Sequence, residues 1–394
     1  MSWQGKGKIA FVGVGFSSIE RGTDKPLGPF AEVAIANALA DCGLHSQDID
    51  GLSTYPEPAS PGAARREGED MVGPEYVLAN CRTGAVRWVA SLNGGMVTAA
   101  IVEAALALLG GACNYALVWR AMHDAKQGHG PRQPATAIGD NQFTEPYGCA
   151  SGLQWHALAY RRYMERYGAT RAQMAALILN SRHNATLNGN TFFHAKSLTF
   201  DQYMNARMIS DPLCLLDCDI PVQACVALVM TTAERARDLK QRPAYLAGFA
   251  LNATRRPPIL HYTLFDYFES GRTTSAQLWE SAGLGPADMS CAMLYDGFAP
   301  STMYWLESAG FCPRGEGFSF VQDGRIAING ELPVNTFGGS LSQGRLHGMG
   351  HAAEAVLQAS GRAGPRQAPE SGAVCVLTGS PMFRGAGLVV TSAP

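Results

Sequence analysis

The stretch GLHSQDIDGLSTY at residues 43–55 has a second version at 283–295, GLGPADMSCAMLY. In both, Gly-Leu is followed by Asp-Ile or Asp-Met and then by an apolar run ending in Tyr, at a constant offset of 240 residues. A helical pattern precedes each copy, FAEVAIANALADC at 30–42 and TTSAQLWESA at 273–282. Glycine after a periodic run caps a helix, and a short apolar run bounded by turn residues makes a buried strand. Each copy therefore predicts helix, glycine cap, turn and strand.

The repetition continues downstream. SLNGGMVTAAIVEAALALL at 91–109 leads into the apolar strand NYALVWRAM, and NTFGGSLSQGRLHGMGHAAEAVLQ at 335–358 leads into GAVCVLTGS. Gly94-Gly95 and Gly338-Gly339 are offset by 244. Each block reads as a glycine turn, an Ala-rich helix and a buried strand, so each half alternates strands and helices around a parallel-containing sheet. Two such halves packed together make a layered α/β/α/β/α body. The predicted divisions are 1–119 for the first half, 120–235 for an insertion with a return strand, and 236–394 for the second half. Within the insertion, ASGLQWHALAYRRYMERYGATRAQMAALILNSRHNA predicts two helices around Gly168.

Composition narrows the function classes. The 394 residues are 46% hydrophobic and 16% charged with a net charge of −2, which suits a well-buried globular chain with surface covered by partner subunits. There is no basic run, so nucleic acid and anionic membranes are not the expected partners. The opening MSWQGKGKIAFVGVGFS enters a strand directly and lacks the pattern of a secretory signal, and no run of 18 apolar residues is present. The ten cysteines include no CxxC pair. Cys214, Cys218 and Cys225, near Asp217 and Asp219, read as buried small residues of a protein in a reducing cytoplasm rather than as a metal site.

Five stretches together resemble the thiolase superfamily, in its sterol-carrier-protein-X-like, lipid-transfer branch. They are GVGFS at 13–17, YMERYGATRAQMA at 163–175, ISDPLCLLDCDIPVQACVALVMTTAERARDL at 209–239, LYDGFAPS at 294–301 and VNTFGGSLSQGRLHGMGHAAEAV at 334–356. The resemblance implies a duplicated thiolase fold, five layers with an inserted loop domain, a CoA thioester as substrate with no further cofactor, and a homodimer. It also implies a small zinc-ribbon and OB-fold partner, giving a heterotetramer.

The resemblance exposes a set of departures. CASGLQ at 149–154 looks like a thiolase nucleophile motif but precedes WHALAYRRYMERYG, which matches the first helix of the loop domain. Cys149 is therefore expected to be a decoy, and the nucleophile's own place falls at Asn93 or Gly94. The Asn-Glu-Ala-Phe block is Tyr295-Asp296-Gly297-Phe298, the Gly-His-Pro block is Gly344-Arg345-Leu346 followed by His347, and Thr378 stands where the second cysteine belongs, with Cys375 inside the strand. Without a thiolate, ping-pong acyl transfer has no carrier. The resemblance instead implies retro-aldol cleavage of a 3-hydroxyacyl-CoA, steroid side-chain-like, which needs none, because the branch with lost cysteines includes aldolases that shorten steroid side chains. The expected catalytic residues are Tyr295, His347, His351 and Asp296, the two histidines sharing a helix face by their i, i+4 spacing. Asn93, Gly94, Gly95, Gly338, Gly339, Asn335 and Arg345 are expected to bind substrate: backbone NH groups at 94–96 or 338–340 as an oxyanion hole, Asn335 fixing the glycine loop, Arg345 meeting a CoA phosphate. His194 and the aromatics of 182–212, with HYTLFDYF at 261–268, suit a bulky apolar acyl group. The alternatives are a thiolase-type acyltransferase using Cys149 and a non-catalytic acyl-CoA- or lipid-binding subunit.

Overall fold

The structure is a computed structural model, and it describes residues 3–56, 65–92, 96–123, 136–149, 151–252, 264–370, 372–381 and 384–394. Nine strands form one sheet: β1 (Ile9–Phe16), β2 (Gly51–Thr54), β3 (Trp88–Ser91), β4 (Tyr115–Met122), β5 (Ala224–Thr232), β6 (Ala244–Leu251), β7 (Met289–Leu294), β8 (Ala373–Ser380) and β9 (Arg384–Thr391). The principal helices are α1 (Gly28–Cys42), α2 (Val97–Leu109), α3 (Gly152–Tyr167), α4 (Arg171–Thr186), α5 (Leu264–Ala282), α6 (Ala299–Ala309), the four-residue α7 (Gly339–Ser342) and α8 (Met349–Ala359). The strand order is β3-β2-β4-β5-β1-β6-β9-β8-β7.

That order is the sequence repeat in three dimensions. β2-β4-β5-β1 has the same order and pairing senses as β7-β8-β9-β6: a parallel pair, then two antiparallel ones. β3 adds a parallel edge to β2, and Val334 makes the corresponding parallel bridge to Ala292 in β7. The repeated stretch has the predicted local form. Gly43 and Gly283, at φ 76° and 62°, close α1 and α5. Asp48 and Asp288 then accept from His45 N and Gly285 N at 2.8 and 2.7 Å, tightening the turn before β2 and β7.

The two halves meet more closely than separate sheets would. β1 and β6 pair antiparallel through Ala10↔Tyr245 and Phe11↔Ala244, which covers the inner edge of each half and leaves one continuous sheet. The sheet folds around α2 and α8. Ile9, Phe11, Val118, Leu228, Met293 and Val376 pack with these helices in a central core. Alternate residues of the first half, such as Ala10, Val12 and Leu117, turn outward to α1. The second half packs its outer face on α5, α6 and the inserted α3 and α4. The five layers follow. Close packing of α1 on β1 requires Gly15, where a Cβ would lie 2.1 Å from the Ala34 carbonyl oxygen. Gly15→Ala is expected to cost at least about 2 kcal/mol in urea unfolding, because backbone rather than a flexible side chain must move.

Three details differ from the sequence reading. The division at 119 falls inside β4, and that at 235 falls inside the short helix Ala233–Ala236. Gly338-Gly339 does not open the counterpart of α2. It opens only α7, and the central helix α8 starts later, after Gly348 at φ 92°. The two-helix reading of the insertion matches α3 and α4, with Gly168 at φ 75° closing the first. Of HYTLFDYF, 261–263 and the side chains of 264–267 lie outside the described residues, and Phe268 packs on the second-half core. No helix among the described residues is long and apolar enough to cross a membrane. Asp217, beside the cysteine cluster, is taken up by Tyr203 Oη and Cys214 N at 2.8 and 2.7 Å.

Candidate active site

The repeat brings two tyrosines to equivalent strand ends, Tyr55 after β2 and Tyr295 after β7. The C-terminal ends of strands in an α/β sheet are where such folds expose chemistry. Tyr295 continues the ladder, its N donating to Leu377 O at 2.8 Å, and Asp296 turns into the interior. The Asp296 carboxylate accepts from Ser340 N at 2.7 Å and Leu341 N at 3.4 Å. His351 Nε2, in the first turn of α8, lies 3.1 Å from Asp296 Oδ1. A carboxylate oxygen accepts, so in this contact His351 Nε2 carries the hydrogen and Nδ1 is the ring nitrogen left to face away from Asp296. Phe337 meets the His351 ring edge-on at 4.9 Å, and Tyr295 lies 5.6 Å from it.

Gly339 is what lets the loop wrap Asp296. Its φ is +62°, and a Cβ there would sit 1.9 Å from Asp296 Oδ2. Gly339→Ala is expected to combine backbone strain with expulsion of the carboxylate, for a loss of about 2–4 kcal/mol read by urea unfolding and a matching loss of activity.

A second group gathers around Tyr55. Arg120 is fully buried at the end of β4. Its Nη1 donates to the Tyr55 carbonyl, and its Cζ lies 4.5 Å over the Tyr55 ring. Nη2 is 3.1 Å from His347 Nδ1, and the His347 ring stacks on Tyr55 at 6.3 Å. His347 has φ +49° and precedes α8, so His347 and His351 do not share a helix face, contrary to the spacing argument. Each histidine instead attends one of the repeat tyrosines.

Asp219 and Arg345 close the site from a third side. Asp219 N donates to Gly297 O at 3.0 Å, Arg345 N donates to Ile220 O at 2.8 Å, and Arg345 Nε lies 3.9 Å from Asp219 Oδ2. Burial pushes the Tyr295 phenol well above its ordinary value. Asp219 and Asp296 add to the shift, while Arg345 and Arg120 oppose it. Tyr295 is therefore a neutral hydrogen-bond donor at physiological pH. On α3, His156 packs against Phe298 at 4.5 Å. Burial pulls it down to about 4 from 6.5, against the pull of Asp219. The unfolded chain then binds the proton that the folded chain refuses, so stability falls as pH drops from 6.5 toward 4. Wild type is expected to lose about 3 kcal/mol more than His156→Leu between pH 7 and 4 in urea titrations.

The chain was compared with known proteins. A domain family described as "Thiolase C-terminal domain-like" matches residues 262–391. The chain is 34% identical over 373 residues to "17-hydroxy-3-oxo-4-pregnene-20-carboxyl-CoA lyase" of Mycobacterium tuberculosis, covering 90% of this chain and 92% of that protein. It is 31% identical to "Steroid side-chain-cleaving aldolase" of Thermomonospora curvata, covering 89% and 90%. A solved structure, "Ltp2-ChsH2(DUF35) aldolase", superposes with a TM-score of 0.84 at 29% identity, covering 98% of both chains. The chain belongs to the SCP2-thiolase-like family.

Within a thiolase-like frame the two cysteine positions are informative. Asn93 and Gly94, one of which is expected at the nucleophile's place, and Gly95 lie outside the described residues. Thr378 is buried and its Oγ1 lies 2.6 Å from Thr98 Oγ1 on the first turn of α2, so the second position holds a hydroxyl already engaged. Cys375 is buried in β8 and its thiol is pushed up by burial. Cys149 lies in the turn before α3, where burial raises its thiol as well. The helix-opening look of CASGLQ is a capping box: Ser151 N donates to Gln154 Oε1 at 3.0 Å.

The remaining expected residues serve the loop rather than an open pocket. Asn335 Oδ1 and Nδ2 are spent on Leu294 N and O, both at 2.8 Å, which fixes the glycine loop against β7. Gly338 N donates to Asn335 O and Ser340 N to Asp296, so two of the three NH groups at 338–340 serve the fold and not an oxyanion. Arg345 is half-buried beside Asp219. His194 is exposed, with Nδ1 3.2 Å from Asn188 O. Sequence reading missed Tyr55, Arg120 and Asp219. Tyr55 carried a signal, since it is the offset-240 twin of Tyr295.

Proposed function

We propose that this protein is a carbon–carbon lyase that cleaves a 3-hydroxyacyl-CoA bearing a tertiary β-hydroxyl on a steroid-like side chain. A base takes the β-hydroxyl proton, the Cα–Cβ bond breaks, and the hydroxyl carbon becomes a ketone. The electron pair stays on Cα as the enolate of the shortened acyl-CoA, which is then protonated. No oxidant, water or covalent carrier enters, and the CoA thioester is substrate, with no further cofactor invoked. His351 Nδ1 is the base, oriented by Asp296, and the neutral Tyr295 phenol is the proton donor. The observation that carries this reading is the Tyr295–Asp296–His351 cluster, and the sequence reading that sets Asn93 or Gly94 and Thr378 at the thiolase cysteine positions supports it. The names of its relatives, a CoA lyase and a side-chain-cleaving aldolase, support the substrate class proposed.

The likeness to an aldolase whose name joins two proteins supports a complex with a small partner of zinc-ribbon and OB-fold type on a homodimer of this chain. Ten free cysteines support a reducing, cytoplasmic setting. The test supplies purified protein, with and without such a partner, with a steroid 3-hydroxyacyl-CoA carrying a tertiary hydroxyl, and follows ketone and shortened acyl-CoA by mass spectrometry. Wild type and Cys149→Ala are expected to cleave equally. Loss of cleavage in Cys149→Ala, with acyl label on that thiol, would instead make the protein a thiolase-type acyltransferase.

A further inference from the structure

The loop that wraps Asp296 takes a path that leaves its carbonyls in need of outside donors. Asn335, Gly338 and Gly339 are left-handed, at φ +47°, +104° and +62°, which interrupts any regular ladder between 334 and 339. Buried carbonyls on such a path must be paired from elsewhere. Helix α4 of the insertion supplies the partners. Asn184 is fully buried, and its Nδ2 donates to Val334 O at 3.3 Å and to Asn335 O at 3.2 Å. Ser181 Oγ donates to Gly338 O. Asn188, buried just beyond the helix end, donates Nδ2 to Phe337 O at 3.1 Å. The spacing 181, 184, 188 sets all three on one side of the helix. The helix also approaches the loop closely, since a Cβ on Gly338 would lie 2.8 Å from that of Ala185. The carbonyls held are those of the residues that build the cleavage cluster. Phe337 meets the His351 ring edge-on at 4.9 Å, Asn335 is fixed to the end of β7, and Gly338 leads into the contact of Ser340 N with Asp296.

We propose that Asn184 and Asn188 are positioning residues for cleavage: through their side-chain amides the inserted domain sets the register in which the loop presents Phe337 to His351 and Ser340 N to Asp296. Both act through the loop and not on the reacting atoms. The inference rests on the retro-aldol reading for its consequence in turnover, but not for the register. It gives the insertion a part in the chemistry, because the loop of the second half is held by a helix inserted in the first. Asn180, four residues before Asn184 on the same helix, is a comparison of the same kind. Its Nδ2 donates to Ile326 O at 3.2 Å, outside the loop, and Ile326 O also accepts Val334 N at 3.1 Å.

Proton and nitrogen-15 spectra of histidine-labelled protein, with His351→Ala for assignment, need no cleavage. The His351 ring signals are expected to move in Asn184→Ala and Asn188→Ala, because the Phe337 edge and the Asp296 contact shift with the loop, and to stay in place in Asn180→Ala. Asn188→Asp is a second variant that keeps the side-chain shape and the oxygen that accepts Asn190 N at 3.1 Å, while removing the donor to Phe337 O. It is expected to move the same signals. In turnover, Asn184→Ala and Asn188→Ala are each expected to lose about 10²-fold in kcat, the cost of a misplacement of about 1 Å, with KM little changed. Asn180→Ala is expected to lower stability in urea with kcat unchanged. Adding Asn188→Ala to His351→Ala should cost nothing further, because Asn188 acts through His351. Unmoved His351 signals in folded Asn188→Ala and Asn188→Asp, a kcat loss in Asn180→Ala equal to that in Asn184→Ala, or additive losses with His351→Ala would overturn the proposal. Moved signals alongside a wild type that cleaves no 3-hydroxyacyl-CoA would refute the retro-aldol reading and leave the register role in place.

Discussion

Tyr295→Phe is expected to lower kcat for cleavage by about 10²–10⁴-fold, the range for removing a general acid or base, while leaving folding intact. The change deletes one oxygen and keeps the ring that packs near His351. Substrate affinity should move little, because the phenol acts on charge that develops during bond breaking. The raised phenol adds a pH signature. An ordinary tyrosine would lose its proton, and with it the donor role, near pH 10. Here the shift is upward, so the Tyr295 arm stays protonated beyond that point, and the alkaline limb of the rate profile should not show an ordinary tyrosine ionisation. A Tyr295→Phe enzyme with near-wild-type kcat would remove the phenol from the mechanism.

Asp296→Asn is expected to be comparably damaging, about 10³–10⁴-fold in kcat. The magnitude is borrowed from the equivalent change in a serine-protease Asp-His pair, where the loss comes from the wrong imidazole tautomer. The logic transfers because Asp296 Oδ1 holds His351 Nε2–H while the same carboxylate accepts Ser340 N. Both donors meet Oδ1 and Leu341 N meets Oδ2, so an amide turns its NH2 either on Leu341 N or on the Ser340 and His351 donors. Combining Asp296→Asn with His351→Ala should cost scarcely more than His351→Ala alone, since the two act as a unit. Additive losses would show that Asp296 works independently of the histidine.

Local rules made much of the architecture legible. The offset-240 repeat placed Tyr295 and Asp296 at a strand end because helix, glycine cap, Asp-closed turn and strand are all written in short-range residues. The joined sheet was not legible, since the pairing of Ala10 with Tyr245 is a tertiary contact with no local mark. The glycine pairs misled because Gly338-Gly339 is tied to Asp296, not to the start of the central helix. Arg120 was hidden inside NYALVWRAM, where one polar letter does not alter an apolar pattern. Asp219 stood among cysteines and read as part of their cluster. His347 and His351 were found by type, but their division between two tyrosines depends on the left-handed turn at His347. CASGLQ shows the opposite failure: a capping box with a cysteine beside it imitates a nucleophile motif.

The central claim is cleavage without a covalent carrier at the lost thiolase cysteine positions. Intact-protein mass spectrometry of samples quenched during turnover of a tertiary 3-hydroxyacyl-CoA tests it most directly, with ketone and shortened acyl-CoA quantified in the same samples. The account predicts ketone and acyl-CoA in equal amounts and an enzyme mass unchanged throughout. An enzyme mass increased by an acyl group, at Cys149 or any other residue, would contradict it.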